Sequence, residues 1–381
     1  MCGDNGDASV SRQNRTVRTL NAQIGERVRS ESSVANRESE RSRNRTRRCE
    51  TSDESKMTYE GPPTPRYAFE EGGSIAFWSE TAARGREAGS RREPKNMSGK
   101  TVLITGCTSG IGRVTAKDLA ERGAKIIMGC RNVATANEFK DDIVKSMENA
   151  NVVVRRLDLS SLKSVREFAE QVNREESRLD VLIHNAGTAE TFRKKITDDG
   201  IEMTMATNHY GPFLLTHLLI ELLKSSAPSR VIVVSSKMYR ISSLNLNNIN
   251  PTTTMPAYLY FVSKYANIVF TLELARRLDG TGVTANCLHP GVIATDIWRN
   301  VPIPLSWGLN LIKIFFKTPE QGARTTIYLA VSDELSGVTG KYFSNCRERG
   351  LIEGAKDPAK GKKFWELWET LVKLQPSDPK I

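Results

Sequence analysis

Tyr260 and Lys264 stand four residues apart in Tyr260-Phe261-Val262-Ser263-Lys264, a spacing that puts a phenol and an ammonium on one face of a helix. A free tyrosine titrates near ~10, so at neutral pH it exchanges protons slowly unless a neighbour helps. A lysine charge beside it favours the phenolate. A bare Tyr-x-x-x-Lys arises often by chance. Ser235-Ser236, which closes a preceding apolar strand, gives the pair meaning. Ser236 could donate to an oxygen of a bound molecule and stabilise charge developing there. Asn208, in Thr207-Asn208-His209-Tyr210-Gly211, could bend its helix and hold a water that passes protons to Lys264. Tyr258 is a rival phenol, but no lysine follows it four residues on, so it reads as packing or as contact with the bound molecule. Tyr210 and Tyr265 read as core.

These side chains need a scaffold, and from Lys100 onward the sequence alternates strand-like and helix-like segments. Apolar runs predict strands over 101–105, 125–129, 152–157, 181–183, 231–234, 283–288 and 340–343. Helical spacing predicts helices over 114–122, 133–147, 162–172, 200–223, 257–278, 319–330 and 362–374. Such alternation implies an α/β fold, a single doubly wound parallel sheet with helices on both faces. Every candidate chemical residue then falls at a carboxyl end of a strand or on the following helix, where ligands bind in such sheets.

Between the first strand and first helix lies Thr105-Gly106-Cys107-Thr108-Ser109-Gly110-Ile111-Gly112. Gly106 permits a tight turn, Gly110 lets backbone approach a pyrophosphate, and Gly112 lets helix pack on strand. The helix then offers free N–H groups and its positive dipole end to phosphate. After the second strand, Gly129-Cys130-Arg131-Asn132 carries no carboxylate for a ribose 2′-hydroxyl. Arg131 can instead pair with a 2′-phosphate, which favours NADP(H) over NAD(H); the plainer reading is a solvated loop arginine. Asp158, after the third strand, is placed to accept from an adenine amino group. Asn185-Ala186-Gly187, after the fourth, lies in the same cleft.

The chain has 381 residues, a formal net charge of +11 and 39% hydrophobic residues, and its apolar deficit is confined to the first 96 residues. That stretch is too polar to offset its chain entropy, which predicts a disordered extension over 1–96 ahead of one domain over 97–381. Its basic cluster at 41–48 could contact nucleic acid or act as a nuclear address. The expectation taken forward is a solvated tail with no nucleic-acid partner. Met97 itself reads like a natural start. Cys2, Cys49, Cys107, Cys130, Cys287 and Cys346 form no Cys-x-x-Cys pair, so reduced thiols in an intracellular protein are expected. His184, His209, His217 and His289 lack metal-ligand spacing, so no metal is expected. The first residues do not read as a secretory signal, and no run reaches the ~18 apolar residues of a spanning helix. An intracellular protein follows, cytoplasmic or peripherally associated with a membrane.

Taken together, Thr-Gly-x-x-x-Gly-Ile-Gly, Asn185-Ala186-Gly187, Asn208, Ser236, Tyr260-x-x-x-Lys264 and Pro290-Gly291 occur in an order that resembles the short-chain dehydrogenase/reductase family over essentially all of 98–350. The resemblance implies a Rossmann-like sheet of about seven parallel strands in the order 3-2-1-4-5-6-7. It implies Asn208, Ser236, Tyr260 and Lys264 as a catalytic tetrad. Lys264 would also bond the nicotinamide ribose, and Pro290-Gly291 with Thr295 would bind the nicotinamide carboxamide. Ile111 matches the position whose backbone meets the pyrophosphate. Cys107–Gly112, Cys130-Arg131, Asn208–Gly211, His289–Val292 and Gly340–Phe343 look like the retinol dehydrogenase branch. That branch implies NADP(H) and lipophilic alcohols, aldehydes or ketones, retinol and retinal among them. The chain departs from branch members that begin with a membrane-anchoring hydrophobic helix, since its own beginning is polar.

Residues 297–316 are strongly apolar and follow the nicotinamide segment. They read as a wall of the substrate cleft, as ordinary buried packing, or as an interfacial helix making peripheral membrane contact. Helical spacing of Phe364, Leu367, Trp368 and Leu371 reads as core or subunit packing, and the family allows a homodimer. The function expected is an oxidoreductase exchanging a hydride between NADP(H) and a small lipophilic carbonyl or alcohol; the competing class is a non-catalytic NADP-binding sensor on the same fold.

Overall fold

The computed structural model describes residues 96–190, 194–293 and 317–381. The extension over 1–95, Thr295 and the apolar segment 297–316 lie outside the described residues.

Strand β1 (Thr101–Thr105) is wholly buried and takes the centre of the sheet. Its side chains alternate between two cores, Leu103 toward one and Val102 and Ile104 toward the other. An apolar residue on both faces is what a central parallel strand requires. The chain continues through α1 (Gly110–Glu121), β2 (Lys125–Cys130), α2 (Val133–Ser146), β3 (Val152–Arg156), α3 (Leu162–Glu175) and β4 (Val181–His184). There follow α4 (Gly211–Ser225), β5 (Ser229–Val234), α5 (Pro256–Arg277), β6 (Val283–His289), α6 (Pro319–Val331), β7 (Tyr342–Ser344), β8 (Arg347–Glu348) and α7 (Pro358–Leu371). The sheet order is β3-β2-β1-β4-β5-β6-β7-β8, parallel except for the last pair. Register is set by apolar partners such as Leu103 against Ile127 and Leu182. Helices α1, α2 and α6 contribute to one core, and α3, α4, α5 and α7 to the other. The expected doubly wound α/β fold is present.

Three elements differ from expectation. An eighth strand follows the expected seven, folding back antiparallel on β7 across Asn345 and Cys346, whose φ values are 55 and 57. Two successive left-handed residues make the tight turn of a hairpin, and neither is the glycine that would announce it in sequence. The expected unbroken helix over 200–223 starts only at Met203–Met205, where the Glu202 carboxylate accepts from the Met205 N–H at 2.9 Å. It then widens into a π-helical turn, Ala206–Tyr210, before α4. The last helix begins earlier than 362, because Asp357 caps it and Pro358 opens it.

That last helix packs on its own chain. Trp365 and Trp368 are fully buried, Trp365 edge-on to Phe213 of α4 and stacked on Phe270 of α5. Tyr210 and Tyr265 are buried as expected, and the Tyr210 hydroxyl donates to the Ile249 carbonyl. Among the described residues no helix is long and apolar enough to cross a membrane.

Candidate active site

Strand β1 has β2 on one side and β4 on the other, so the loops leaving β1 and β4 part across a crevice at the carboxyl edge. The glycine loop fills one side of it. Gly106 (φ +70) and Gly110 (φ +54) take the left-handed turns that a side chain would oppose. A Cβ on Gly112 would lie 2.2 Å from the Gly106 carbonyl oxygen and 2.4 Å from the Asn185 amide nitrogen. One on Gly106 would lie 2.8 Å from Ala186 Cα. Ser109 opens α1 in extended geometry without a side-chain capping bond, so the first-turn N–H groups, Ile111 among them, are left for a ligand anion. A dinucleotide phosphate fits this cradle.

Asn185 is the bolt of the crevice. Its amide donates to the Thr105 carbonyl at 3.0 Å and the Gly106 carbonyl at 2.9 Å. The Thr105 hydroxyl accepts in return from the backbone of Asn185 and Ala186, each at 3.1 Å. The part of Thr105 was missed in sequence, although it sits directly before the loop. Asn185 and Ala186 thus shape the cradle through protein contacts.

At the outer end, Arg131 is exposed just past β2, with no hydrogen-bond or ion-pair partner among the described residues. The next residue, Asn132, caps α2. Asp158 follows β3, where one carboxylate oxygen accepts from the Ser160 N–H at 3.0 Å and the Ser160 hydroxyl at 2.6 Å. It borders a cleft of about 400 Å³ shared with Arg156 and Ser161.

The inner end gathers the four tetrad candidates. Ser236 ends the stretch after β5, and its hydroxyl lies near enough to the Tyr260 phenol of α5 to pull the phenol's pKa down. Lys264 lies one turn beyond Tyr260, its Nζ 5.5 Å from the ring centre and donating to the Val234 carbonyl at 3.0 Å. Gly187 packs against both Lys264 and Asn208: a Cβ there would be 3.5 Å from the Lys264 Nζ and 3.6 Å from the Asn208 Oδ1. Asn208 lies in the π-helical turn, so the expected bend is present. Its Nδ2 donates to the Thr188 carbonyl at 2.9 Å and the Ser263 hydroxyl at 3.0 Å, and its Oδ1 accepts from the Thr188 N–H at 2.7 Å. Ser263 in turn donates to the Tyr260 carbonyl at 2.7 Å. The neighbouring Ser235 hydroxyl donates to the Lys264 carbonyl at 2.7 Å. Ser235 was read in sequence only as the neighbour of Ser236 and Ser263 was given no part, because the bonds Ser235–Lys264 and Asn208–Ser263 join residues brought together by the fold.

Burial sets the protonation states. The Tyr260 phenol is pushed up to about 12 by burial, with the Ser236 hydroxyl pulling against it. The Lys264 ammonium is pushed down to about 8, also by burial. In the chain by itself desolvation is the largest effect on Tyr260, and the phenol keeps its proton at neutral pH. A protonated phenol with a hydroxyl on one side and a buried cation one helical turn away can give a proton to an oxygen placed against it. Pro290 and Gly291 (φ +103) follow β6.

The chain matches the short chain dehydrogenase family model over residues 100–304. It is 47% identical over 299 residues to human (Homo sapiens) retinol dehydrogenase 14, covering 74% of this chain and 89% of that protein. It is 41% identical over 281 residues to Mus musculus retinol dehydrogenase 12, covering 73% and 88%. Among solved structures it resembles a Mycobacterium Paratuberculosis protein at 34% identity and TM-score 0.58, covering 73% of this chain and 95% of that one. It also resembles Pseudomonas aeruginosa RhlG in an active-site complex with NADP, at 27% identity and TM-score 0.53, covering 65% and 95%. With this fold, this crevice and these relatives, the chain belongs to the short-chain dehydrogenase/reductase family of oxidoreductases, which use NAD(P), in its retinol dehydrogenase branch.

Proposed function

We propose that the protein interconverts a lipophilic carbonyl compound and its alcohol with NADP(H), Tyr260 giving or taking the proton. The observation that carries this reading is the Tyr260 phenol beside Ser236 and one helical turn from a buried Lys264, in a fold whose glycine cradle is shaped for a dinucleotide phosphate. When bound, the nicotinamide supplies or accepts the hydride. Ser236 donates to the substrate oxygen and holds it against the phenol. In reduction, Tyr260 passes its proton to that oxygen as its charge develops; in oxidation the proton returns to Tyr260. Lys264 lends positive charge to the phenolate left behind and is placed to bond a ribose hydroxyl. Asn208 positions Lys264 and Tyr260 through Gly187, Thr188 and Ser263.

Arg131 supports NADP(H) over NAD(H): it is exposed, unpaired among the described residues, and no carboxylate stands at the end of β2. The names of the relatives put retinol and retinal first among substrates to try; on the sequence pattern, Thr295 would serve as a further cofactor contact and the segment 297–316 as a substrate or membrane contact. The test uses the full chain with retinal, a medium-chain aldehyde and a steroid ketone, following reduced-cofactor absorbance with NADPH and with NADH. Turnover with NADPH that falls at least ~100-fold in Tyr260→Phe, with cofactor affinity unchanged, is the expected result. Equal turnover in Tyr260→Phe would sink the proton role, and cofactor binding without turnover on any substrate would favour a sensor.

A further inference from the structure

Lys317 is a cation that the proposed chemistry leaves unused. Its backbone N–H donates to the Val292 carbonyl at 2.8 Å, and it bridges Ile293 in parallel. The side chain crosses the Cα of Gly291: a Cβ there would be 2.6 Å from Lys317 Cδ, 3.0 Å from Cε and 3.2 Å from Nζ. Nζ donates to the Asn345 side-chain oxygen at 2.5 Å, in the left-handed turn between β7 and β8. No carboxylate pairs with it among the described residues.

One charged neighbour, Arg324, has the same sign. Burial and the Arg324 guanidinium hold the Lys317 ammonium below the ordinary lysine value, with the Cys346 thiol pulling the other way. Lys317 and Lys237 both act on His289, which burial and those charges push down to about 3. A half-buried ammonium with no carboxylate partner among the described residues is disfavoured unless an anion completes it. The acid side chains of the described fold do not supply that anion.

Position names the anion. Ile293, the bridge partner of Lys317, meets the glycine-loop residue Ile111 over α6: a Cβ on Gly322 would be 2.1 Å from Ile293 Cδ1 and 3.2 Å from Ile111 Cγ1. Lys317 therefore lies over Gly291, and its bridge partner Ile293 shares a neighbour on α6 with Ile111 at the phosphate-facing start of α1. We propose that Lys317 is a cofactor-binding residue whose ammonium meets the phosphate on the nicotinamide side of the dinucleotide, at the opposite end from Arg131. This rests on the NADP(H) reading above.

The test titrates the full chain with NADPH and with adenosine 2′,5′-bisphosphate, which carries the adenosine-side phosphates alone. Lys317→Met keeps the alkyl stem across Gly291 and removes the charge. It should weaken NADPH about tenfold or more, the effect of removing a charge-assisted hydrogen bond, and leave the bisphosphate unchanged. Lys317→Arg should retain most of the NADPH affinity. Arg131→Ala should weaken both ligands. NADPH affinity unchanged in Lys317→Met overturns the proposal, as does equal weakening of both ligands, which would mark a structural role. A change confined to KM for the carbonyl substrate also overturns it, assigning the cation to the substrate. A wild-type chain that binds neither ligand refutes the NADP(H) reading itself, an outcome distinct from failure at Lys317 alone.

Discussion

Asn208→Asp changes one atom, and the fold states what that atom does. The aspartate keeps the oxygen that accepts from the Thr188 N–H at 2.7 Å. It replaces the nitrogen that donates to the Thr188 carbonyl at 2.9 Å and to Ser263 at 3.0 Å. Ser263 cannot turn its hydrogen to the new oxygen without releasing the Tyr260 carbonyl, which it holds at 2.7 Å. The ionised variant therefore sets an oxygen against two acceptors in a site that is 1% exposed. Each buried group left without its partner costs about 1–3 kcal/mol, so the pair costs on the order of 3 kcal/mol. At about 2–4 °C per kcal/mol for a domain of roughly this size, the melting temperature falls by about 6–12 °C. Protonation gives back one donor, so burial and the facing carbonyl raise the folded pKa of this aspartate above its unfolded value. An acid raised in this way contributes its full stability below the unfolded pKa and loses it as pH rises through the folded pKa. The deficit against wild type should thus widen from pH ~5 to pH ~8. Thermal unfolding of both proteins in matched buffers at those two pH values measures it. A gap under about 2 °C at the higher pH, or one that narrows as pH rises, would refute the reasoning.

Gly112→Ala places a methyl 2.2 Å from the Gly106 carbonyl oxygen and 2.4 Å from the Asn185 amide, so the glycine loop must open. NADPH binding, read by fluorescence titration, should drop at least tenfold, about 1.4 kcal/mol or more, and unchanged affinity would contradict the cradle. His184, His209 and His217 are buried, and burial pushes their pKa values down to about 3, 3 and 4. Above the unfolded value of about 6.5 both states are neutral and full stability is present; below it the unfolded chain takes up protons first. Urea denaturation should show stability falling steadily from pH ~6.5 toward pH ~4, and a flat profile across that window would count against it. Trp365→Ala removes a fully buried ring from between α4 and α5 and should cost about 3–5 kcal/mol by urea melt; a loss under about 1 kcal/mol would mean α7 is only loosely docked.

The sheet was legible because its signal is local. Each central strand is a short apolar run, each helix repeats near its own period, and Thr105–Gly112 announces its turn by glycines that tolerate left-handed backbone. The same holds for the one-turn spacing of Tyr260 and Lys264, which any helix would place together. What the sequence by itself determined was therefore the order of elements, the switch between β1 and β4, and which residue types face the crevice. Other features depend on residues far apart in the chain. Strand β8 exists because Asn345 and Cys346 turn left-handed, with Cys346 N–H donating to Thr325 from α6 at 3.3 Å. Asn185 bolts the glycine loop, and Ser263 ties Asn208 to the Tyr260 helix, by bonds that span from 55 to 80 residues of sequence. The burial of Tyr260 was not legible in sequence, since spacing shows the nearby lysine but not how deeply the pair is buried. Only tertiary structure decides how much water each group keeps, and in this crevice lost hydration is the largest influence on both Tyr260 and Lys264.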